Sequence, residues 1–306
     1  MDSRLRTIQR QFNRSADSSY DAHANVQRLM AESLAAHVLK LSAGRSPAIT
    51  GILEIGCGTG ALTAKLLAAF PAASITAVDV APAMLQAAQR RISASGASSP
   101  AASARSAHPP EVAPPHQGTP PPSSRVDWIA ADIETWAAQA VPGSFDLIVS
   151  NACLQWLIHP QETIRSLRRL LRPQGLLACT TFGPDTFHEL HEAFADAYRR
   201  NGLRPQRHGL SLRSPQQWQA MLAEAEFIGI ACERSAHSEQ HATVRDFLHT
   251  VKAVGASASE ADSSSRQGLS KRSLFADMFH AYEQRFGNAE GVPATYDLLL
   301  LQACTS

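Results

Sequence analysis

Leu53-Glu54-Ile55-Gly56-Cys57-Gly58-Thr59-Gly60 is the stretch of this 306-residue chain from which the fold can be read. A short apolar run, Ile49–Ile55, ends in glycines, and Ala61–Phe70 (ALTAKLLAAF) then repeats its apolar residues at helical spacing. The order is strand, glycine turn, helix. Glycine belongs where the backbone turns with positive φ, or where a ligand lies against the main chain and a Cβ would intrude.

Outward from this turn, Ser74–Val80 (SITAVDV) predicts a second buried strand, followed by a helix over Pro82–Ile92 with Pro82 suited to its first turn. Trp128–Ala131, Phe145–Ser150 and Leu176–Thr181 predict further strands, separated by helices at Ile133–Ala140 and Gln161–Leu171. Upstream, residues 25–41 place Val26, Leu29, Met30, Leu34, Val38 and Leu41 at helical spacing. Such alternation predicts an α/β fold with a mostly parallel sheet and helices on both faces. After Thr181 the pattern becomes helical (Thr186–Arg200, Pro215–Ala225, Thr243–Val254, Ser273–Phe286), and a last strand is predicted near Thr295–Leu301. Helices inserted late in a doubly wound sheet build a lid over the ligand crevice. The expected organisation is an N-terminal helical lid and first helix at 1–48, a ligand-binding core at 49–182, a helical substrate lid with late core elements at 183–290, and the final strand at 291–306. Residues 93–124 break the rhythm, being dominated by Pro, Ser and Ala without aromatic, Leu or Ile. They bury too little apolar surface to offset ordering entropy and read as a disordered insertion.

Composition excludes several classes. Lys and Arg number 28 against 27 Asp and Glu, so no global field attracts nucleic acid or an acidic membrane. The five cysteines form no CxxC pair, which argues against a zinc site or a disulfide framework and fits a reducing compartment. No apolar run is long enough to cross a bilayer or to serve as a secretory leader. The chain is expected to be cytoplasmic and monomeric, and to bind no metal, nucleic acid or membrane.

The ligand is ambiguous on the glycines alone, because Gly56-x-Gly58-x-x-Ala61 also satisfies a dinucleotide fingerprint with Asp79 placed for a ribose. Three features favour S-adenosylmethionine. Glu54 at the strand end can attract the donor's ammonium group, whereas a pyrophosphate would be repelled. Asp132, after the third strand, can accept from an adenine amino group with Ile133 beside it, and Asn151 ends the fourth strand at the carboxyl edge. The candidate cofactor-binding set is Glu54, Gly56, Cys57, Gly58, Gly60, Asp79, Val80, Asp132, Ile133 and Asn151. Asp79 and Asp132 are equally suited to cap the helices that follow them, and Glu54 to be a plain strand-end acid. Together the pattern resembles the class I S-adenosylmethionine-dependent methyltransferases, which implies a Rossmann-like, seven-stranded, mostly parallel sheet with a helical lid.

The flanks carry a narrower resemblance. Phe12-Asn13-Arg14, Ser19-Tyr20-Asp21-Ala22-His23-Ala24-Asn25-Val26-Gln27, Ser150-Asn151-Ala152-Cys153-Leu154-Gln155-Trp156, Thr181-Phe182-Gly183-Pro184-Asp185-Thr186-Phe187-His188-Glu189-Leu190, Val254-Gly255-Ala256 and Pro293-Ala294-Thr295-Tyr296 are similar to the malonyl-[acyl-carrier protein] O-methyltransferases of biotin biosynthesis, nearly end to end. The resemblance implies methyl transfer to the free carboxylate of a malonyl thioester on acyl carrier protein, or on coenzyme A. A carboxylic acid is ionised at neutral pH, so no general base is required and the catalytic task is positioning. By resemblance Tyr20 closes over the donor, and Gln155 and Trp156 shape the acceptor pocket; packing roles are the plain alternatives for Tyr20 and Trp156. His188, Arg207 and Lys252 are candidates to hold the malonyl carboxylate. Arg165, Arg168, Arg169 and Arg172 form either a docking patch for an acidic carrier or an ordinary solvated face. Rival functions are methylation of another small acid or a quinone precursor, nicotinamide-dependent redox chemistry, and an assembly protein that has kept the fold.

Overall fold

The computed structural model describes residues 3–16, 19–46, 48–96, 125–206, 208–255 and 271–306. Seven strands form one sheet: β1 (Gly51–Ile55), β2 (Ser74–Asp79), β3 (Val126–Ala130), β4 (Phe145–Asn151), β5 (Leu171–Phe182), β6 (Ile228–His241) and β7 (Val292–Cys304). Their order is β3-β2-β1-β4-β5-β7-β6. The strands from β3 to β5 pair in parallel, while β7 is antiparallel to both β5 and β6. Strand order reverses between β1 and β4, and a crevice opens at the carboxyl ends there. The glycine turn therefore stands at the site-forming point of the sheet.

Alternate residues of the central strands feed two cores. Ile52, Leu147, Val149, Leu176 and Ala178 pack under α3 (Asn25–Ser42) and α4 (Ala61–Ala69). Leu53, Ile55, Ile148, Leu177 and Cys179 face the other side, against α6 (Ile133–Gln139), α7 (Pro160–Leu170) and α9 (Pro215–Glu224). The period of two puts successive side chains on opposite faces, so a strand covered by helices on both sides reads as an unbroken apolar run. The remaining helices are α1 (Ser3–Ser15), α2 (Ser19–His23), α5 (Pro82–Gly96), α8 (His188–Arg200), α10 (Val244–Ala253) and α11 (Lys271–Phe286). The last three share a third core with Phe194, Phe247, Met278 and Tyr282.

The structure departs from the sequence expectation most at one missed strand and at the start of the insertion, while β5 and β7 also run longer than their predicted cores. β6 lies within 183–290, where helices dominate the pattern; it is an edge strand paired only to β7, and after the short apolar start at 228–232 its residues are mostly polar and exposed, so most of its length carries no apolar pattern. The predicted insertion begins later than expected, since 93–96 continue α5; its remainder, 97–124, lies outside the described residues.

The four arginines near α7 are anchors rather than a free cationic face. Arg169 donates to the carbonyls of Ala137, Ala138 and Ala140, satisfying the end of α6. Arg172 pairs with Asp146 at 2.9 Å beside Thr50, where β1 and β4 begin, and Arg168 and Arg165 engage the Glu226 carbonyl and Glu224. They stand at the end of the sheet opposite the crevice.

Candidate active site

The glycine turn shows why each small residue is required. Gly56, Gly58 and Gly60 have φ of +67°, +53° and +80°. A Cβ on Gly56 would meet Cys153 Sγ at 2.4 Å, and one on Gly60 would meet Ala88 of α5 at 3.0 Å. At Gly58 no atom lies within 4 Å of the same position, leaving room for a ligand against the backbone. The Gly58 N–H donates to Asp79 Oδ2 at 2.8 Å, and Ala81 N–H donates to Asp79 Oδ1 at 2.8 Å. Asp79 thus braces the turn and the approach to α5 while lining the crevice.

The crevice has two connected ends that share Tyr20, Gly56, Gly58 and Asn151. One end is walled by Ile8 and Phe12 of α1, Met84 of α5, Val80, Asp132 and Ile133. Asp132 performs the capping alternative read from the sequence, accepting from Glu134 N–H at 3.2 Å and Thr135 Oγ1 at 3.0 Å, and still borders the cleft. The other end is lined by Glu54, Cys57, Thr59 and Gln27. Asn151 is fixed there, accepting from Thr180 Oγ1 at 2.7 Å and donating to the Gln27 carbonyl at 3.0 Å.

Electrostatics separate the ligand classes. Glu54 is 1% exposed and accepts from Thr63 Oγ1 at 2.7 Å. Burial and, secondarily, the Asp79 carboxylate push its pKa up to about 8, and burial pushes Asp79 up to about 6. Buried carboxylates in such a cleft favour a positively charged occupant and oppose the two negative charges of a pyrophosphate. An ammonium group beside Glu54 would supply the cation that the carboxylate lacks. Burial, with Asp79 nearby, also keeps the Tyr20 phenol neutral. Among the described residues, no group of three or more His, Cys, Asp or Glu side chains converges to hold a metal.

The N-terminal segment covers the crevice through specific contacts. Gln9 Nε2 donates to the Val80 carbonyl at 2.8 Å, and Asn13 Oδ1 accepts from Ala83 N–H at 3.0 Å, meeting one of the donors at the start of α5. Asp21 accepts from Thr59 Oγ1 at 2.7 Å and pairs with Arg91. Phe12 stands edge-on to Trp156, with ring centroids 5.4 Å apart. Trp156 separates the crevice from a second cavity, walled by Phe182, Phe187, His208, Val254 and Tyr296. His208 stacks on Phe194 at 3.7 Å and shares a hydrogen bond with Tyr198 Oη at 3.0 Å; burial lowers its pKa and favours the neutral ring.

Of the residues singled out from sequence, Tyr20 and the donor set other than Gly60 come together in the crevice, Gly60 packs against Ala88 behind the turn, and Trp156 forms the wall between the two chambers. Gln155 borders the second cavity, but its amide is engaged internally: it donates to the Ala152 carbonyl at 2.7 Å and accepts from Thr181 Oγ1 at 2.9 Å. It fixes the 3₁₀ turn Leu154–Trp156 that carries the indole. His188 is not brought to the cavity. Phe187 takes a left-handed conformation (φ +59°) and turns its ring inward against Phe247 and Tyr296, so His188 opens α8 on an outer groove beside Glu189 and Arg234. Lys252 is exposed on α10, whose Val251 and Val254 are the residues facing the cavity. Arg207 lies outside the described residues. Sequence reasoning assigned no site role to His208 and Tyr296; each reaches the cavity through an aromatic cluster whose members are distant in the chain.

Comparisons with known proteins agree with this geometry. Residues 53–177 match a family model described as a methyltransferase domain. A malonyl-[acyl-carrier protein] O-methyltransferase of Paenibacillus sp. (strain JDR-2) is 46% identical over 97% of this chain and 97% of its own length. One from Brevibacillus brevis is 36% identical, covering 98% of this chain and 96% of the relative. Among solved structures, the YcgJ protein of Bacillus subtilis superposes with a TM-score of 0.55 at 13% identity, covering 90% of this chain and 98% of that one, a likeness of fold.

Proposed function

The chain belongs to the malonyl-[acyl-carrier protein] O-methyltransferases, and on that premise we propose that it methylates the free carboxylate of a malonyl thioester carried on acyl carrier protein, in the cytoplasm, early in biotin (pimeloyl) synthesis. The products are the malonyl thioester methyl ester and S-adenosylhomocysteine. S-adenosylmethionine, when bound, supplies an electrophilic methyl group on a sulfonium sulfur. The observation that carries this reading is the pairing of an acidic, glycine-floored crevice with a second cavity across Trp156.

The protein's residues bind, orient and exclude water. Glu54 receives the donor's ammonium group, Asp79 the ribose hydroxyls, and Asp132 with Ile133 the adenine edge. Tyr20, Phe12 and Ile8 close over that side, so the transfer takes place out of bulk water. The acceptor arrives ionised, so no side chain needs to remove a proton. The second cavity is lined mainly by aromatic and aliphatic groups, with Gln27, Gln155, Thr186, His191 and His208 as its polar side chains, and among the described residues no Lys or Arg lines it. A nucleophilic carboxylate held without a full countercharge keeps its reactivity, and alignment supplies the rate.

The test is transfer of an isotopically labelled methyl group to malonyl-carrier, malonyl-coenzyme A and free malonate in parallel. Label should appear on the malonyl-carrier and leave as methanol after mild alkali, as a carboxyl ester does. Label that resists alkali, or that appears only on free malonate, would overturn the proposal.

A further inference from the structure

We infer that Gln27, on the first turn of α3, holds the acceptor carboxylate at the methyl-transfer point through its side-chain amide; this rests on the carboxyl-transfer reading above. Two residues, Gln27 and Trp156, border both the donor crevice and the second cavity. Trp156 offers an indole face and one N–H. Gln27 offers a primary amide at the end of the crevice that also contains Glu54 and Asn151.

The mounting of Gln27 is rigid. Its carbonyl accepts from Asn151 Nδ2 at 3.0 Å, and its neighbours Val26 and Met30 are buried against Tyr296. Its side-chain amide, by contrast, has no protein partner among the described residues and remains available to a ligand. Other polar groups of the second cavity are engaged within the protein: the Gln155 amide is bonded at both ends, Thr186 Oγ1 meets the backbone of Asp297, and His208 Nε2 meets Tyr198 Oη.

An amide suits this task better than a cation. One N–H oriented to one carboxylate oxygen leaves the other free to attack, without the charge neutralisation that would weaken the nucleophile. In the transfer that oxygen forms the new O–C bond, the C–S bond breaks, and its electron pair returns to sulfur. No proton moves, so the role of Gln27 is confined to orientation.

The experiment uses the full chain with malonyl-carrier. Gln27→Ala should lower kcat/KM by about 10–100-fold, the usual loss for one hydrogen bond to a charged group. Acceptor affinity, measured calorimetrically on the S-adenosylhomocysteine complex, should weaken in parallel, while S-adenosylhomocysteine affinity stays within about threefold. Gln27→Glu supplies a readout that a packing role would not move. At neutral pH its carboxylate matches the amide in shape but accepts instead of donating and repels the acceptor, so acceptor affinity should fall further than in Gln27→Ala. Unchanged acceptor affinity in Gln27→Ala, an equal loss on the donor side, or an acceptor affinity in Gln27→Glu no weaker than in Gln27→Ala would each overturn the inference. Failure of the wild-type chain to methylate malonyl-carrier would instead count against the proposed function, and the same variants, assayed with whichever carboxylate it does methylate, would still decide the role of Gln27.

Discussion

Glu54 concentrates the chemistry of the donor site in one side chain. Buried and without a cation in the empty protein, it holds its proton up to about pH 8. An incoming ammonium group stabilises the ionised form, so donor binding at neutral pH should release close to one proton. Calorimetry of S-adenosylhomocysteine binding in buffers of different ionisation enthalpy measures that number, and Glu54→Gln should abolish it; proton uptake on binding would contradict the assignment. Its place at the crevice was legible in sequence, because a strand-end acid next to a glycine turn stands at the carboxyl edge of the sheet. Gln27 was not. It stands within the quoted N-terminal motif, yet only the meeting of α3 with the ends of β1 and β4 gives its amide a site.

At the scale of elements, the glycine turn and the helices around it were predictable because their backbone demands are local. Gly56→Ala should cost about 2–4 kcal/mol, combining the left-handed backbone with overpacking against Cys153. Thermal unfolding with and without S-adenosylhomocysteine would reveal it, and a stability unchanged from wild type would contradict the geometry. β6 escaped prediction for the opposite reason: its identity depends on pairing with β7, a partner distant in sequence, and Glu233, Arg234, Ser235 and Ser238 along it are exposed. The arginines of α7 and β5 were visible as a cluster, but their purpose is set by carbonyls from other elements. Arg169→Ala should therefore lower stability by about 1–3 kcal/mol while leaving KM for the carrier unaltered; a raised KM with unchanged stability would restore the docking role.

Across the whole molecule, the α/β class with helices on both faces of the sheet follows from the alternation of strands and helices, whereas the strand order and the lid are matters of tertiary contacts. The crevice imposes a pH dependence on stability. Glu54 and Asp79 have pKa values raised above their unfolded values, so their contribution is fully present below about pH 4 and is lost as pH rises through about 6 and then 8. The melting temperature of the empty protein should fall between about pH 5 and pH 8.5, and less steeply with S-adenosylhomocysteine bound; a slope unaffected by the ligand would contradict the link between these acids and the donor. The composition of 97–124 implies a segment the core does not need, so replacing it with a short Gly-Ser linker should leave kcat/KM within about threefold. A folded deletion variant without turnover would assign it a role.

The measurement that bears most directly on carboxyl transfer is the intact mass of acyl carrier protein after incubation with this protein and S-adenosylmethionine, comparing malonyl and acetyl forms. A gain of one CH₂ on the malonyl form and none on the acetyl form is the predicted result. No gain on the malonyl form, with S-adenosylmethionine bound, would contradict carrier-bound malonyl as the acceptor.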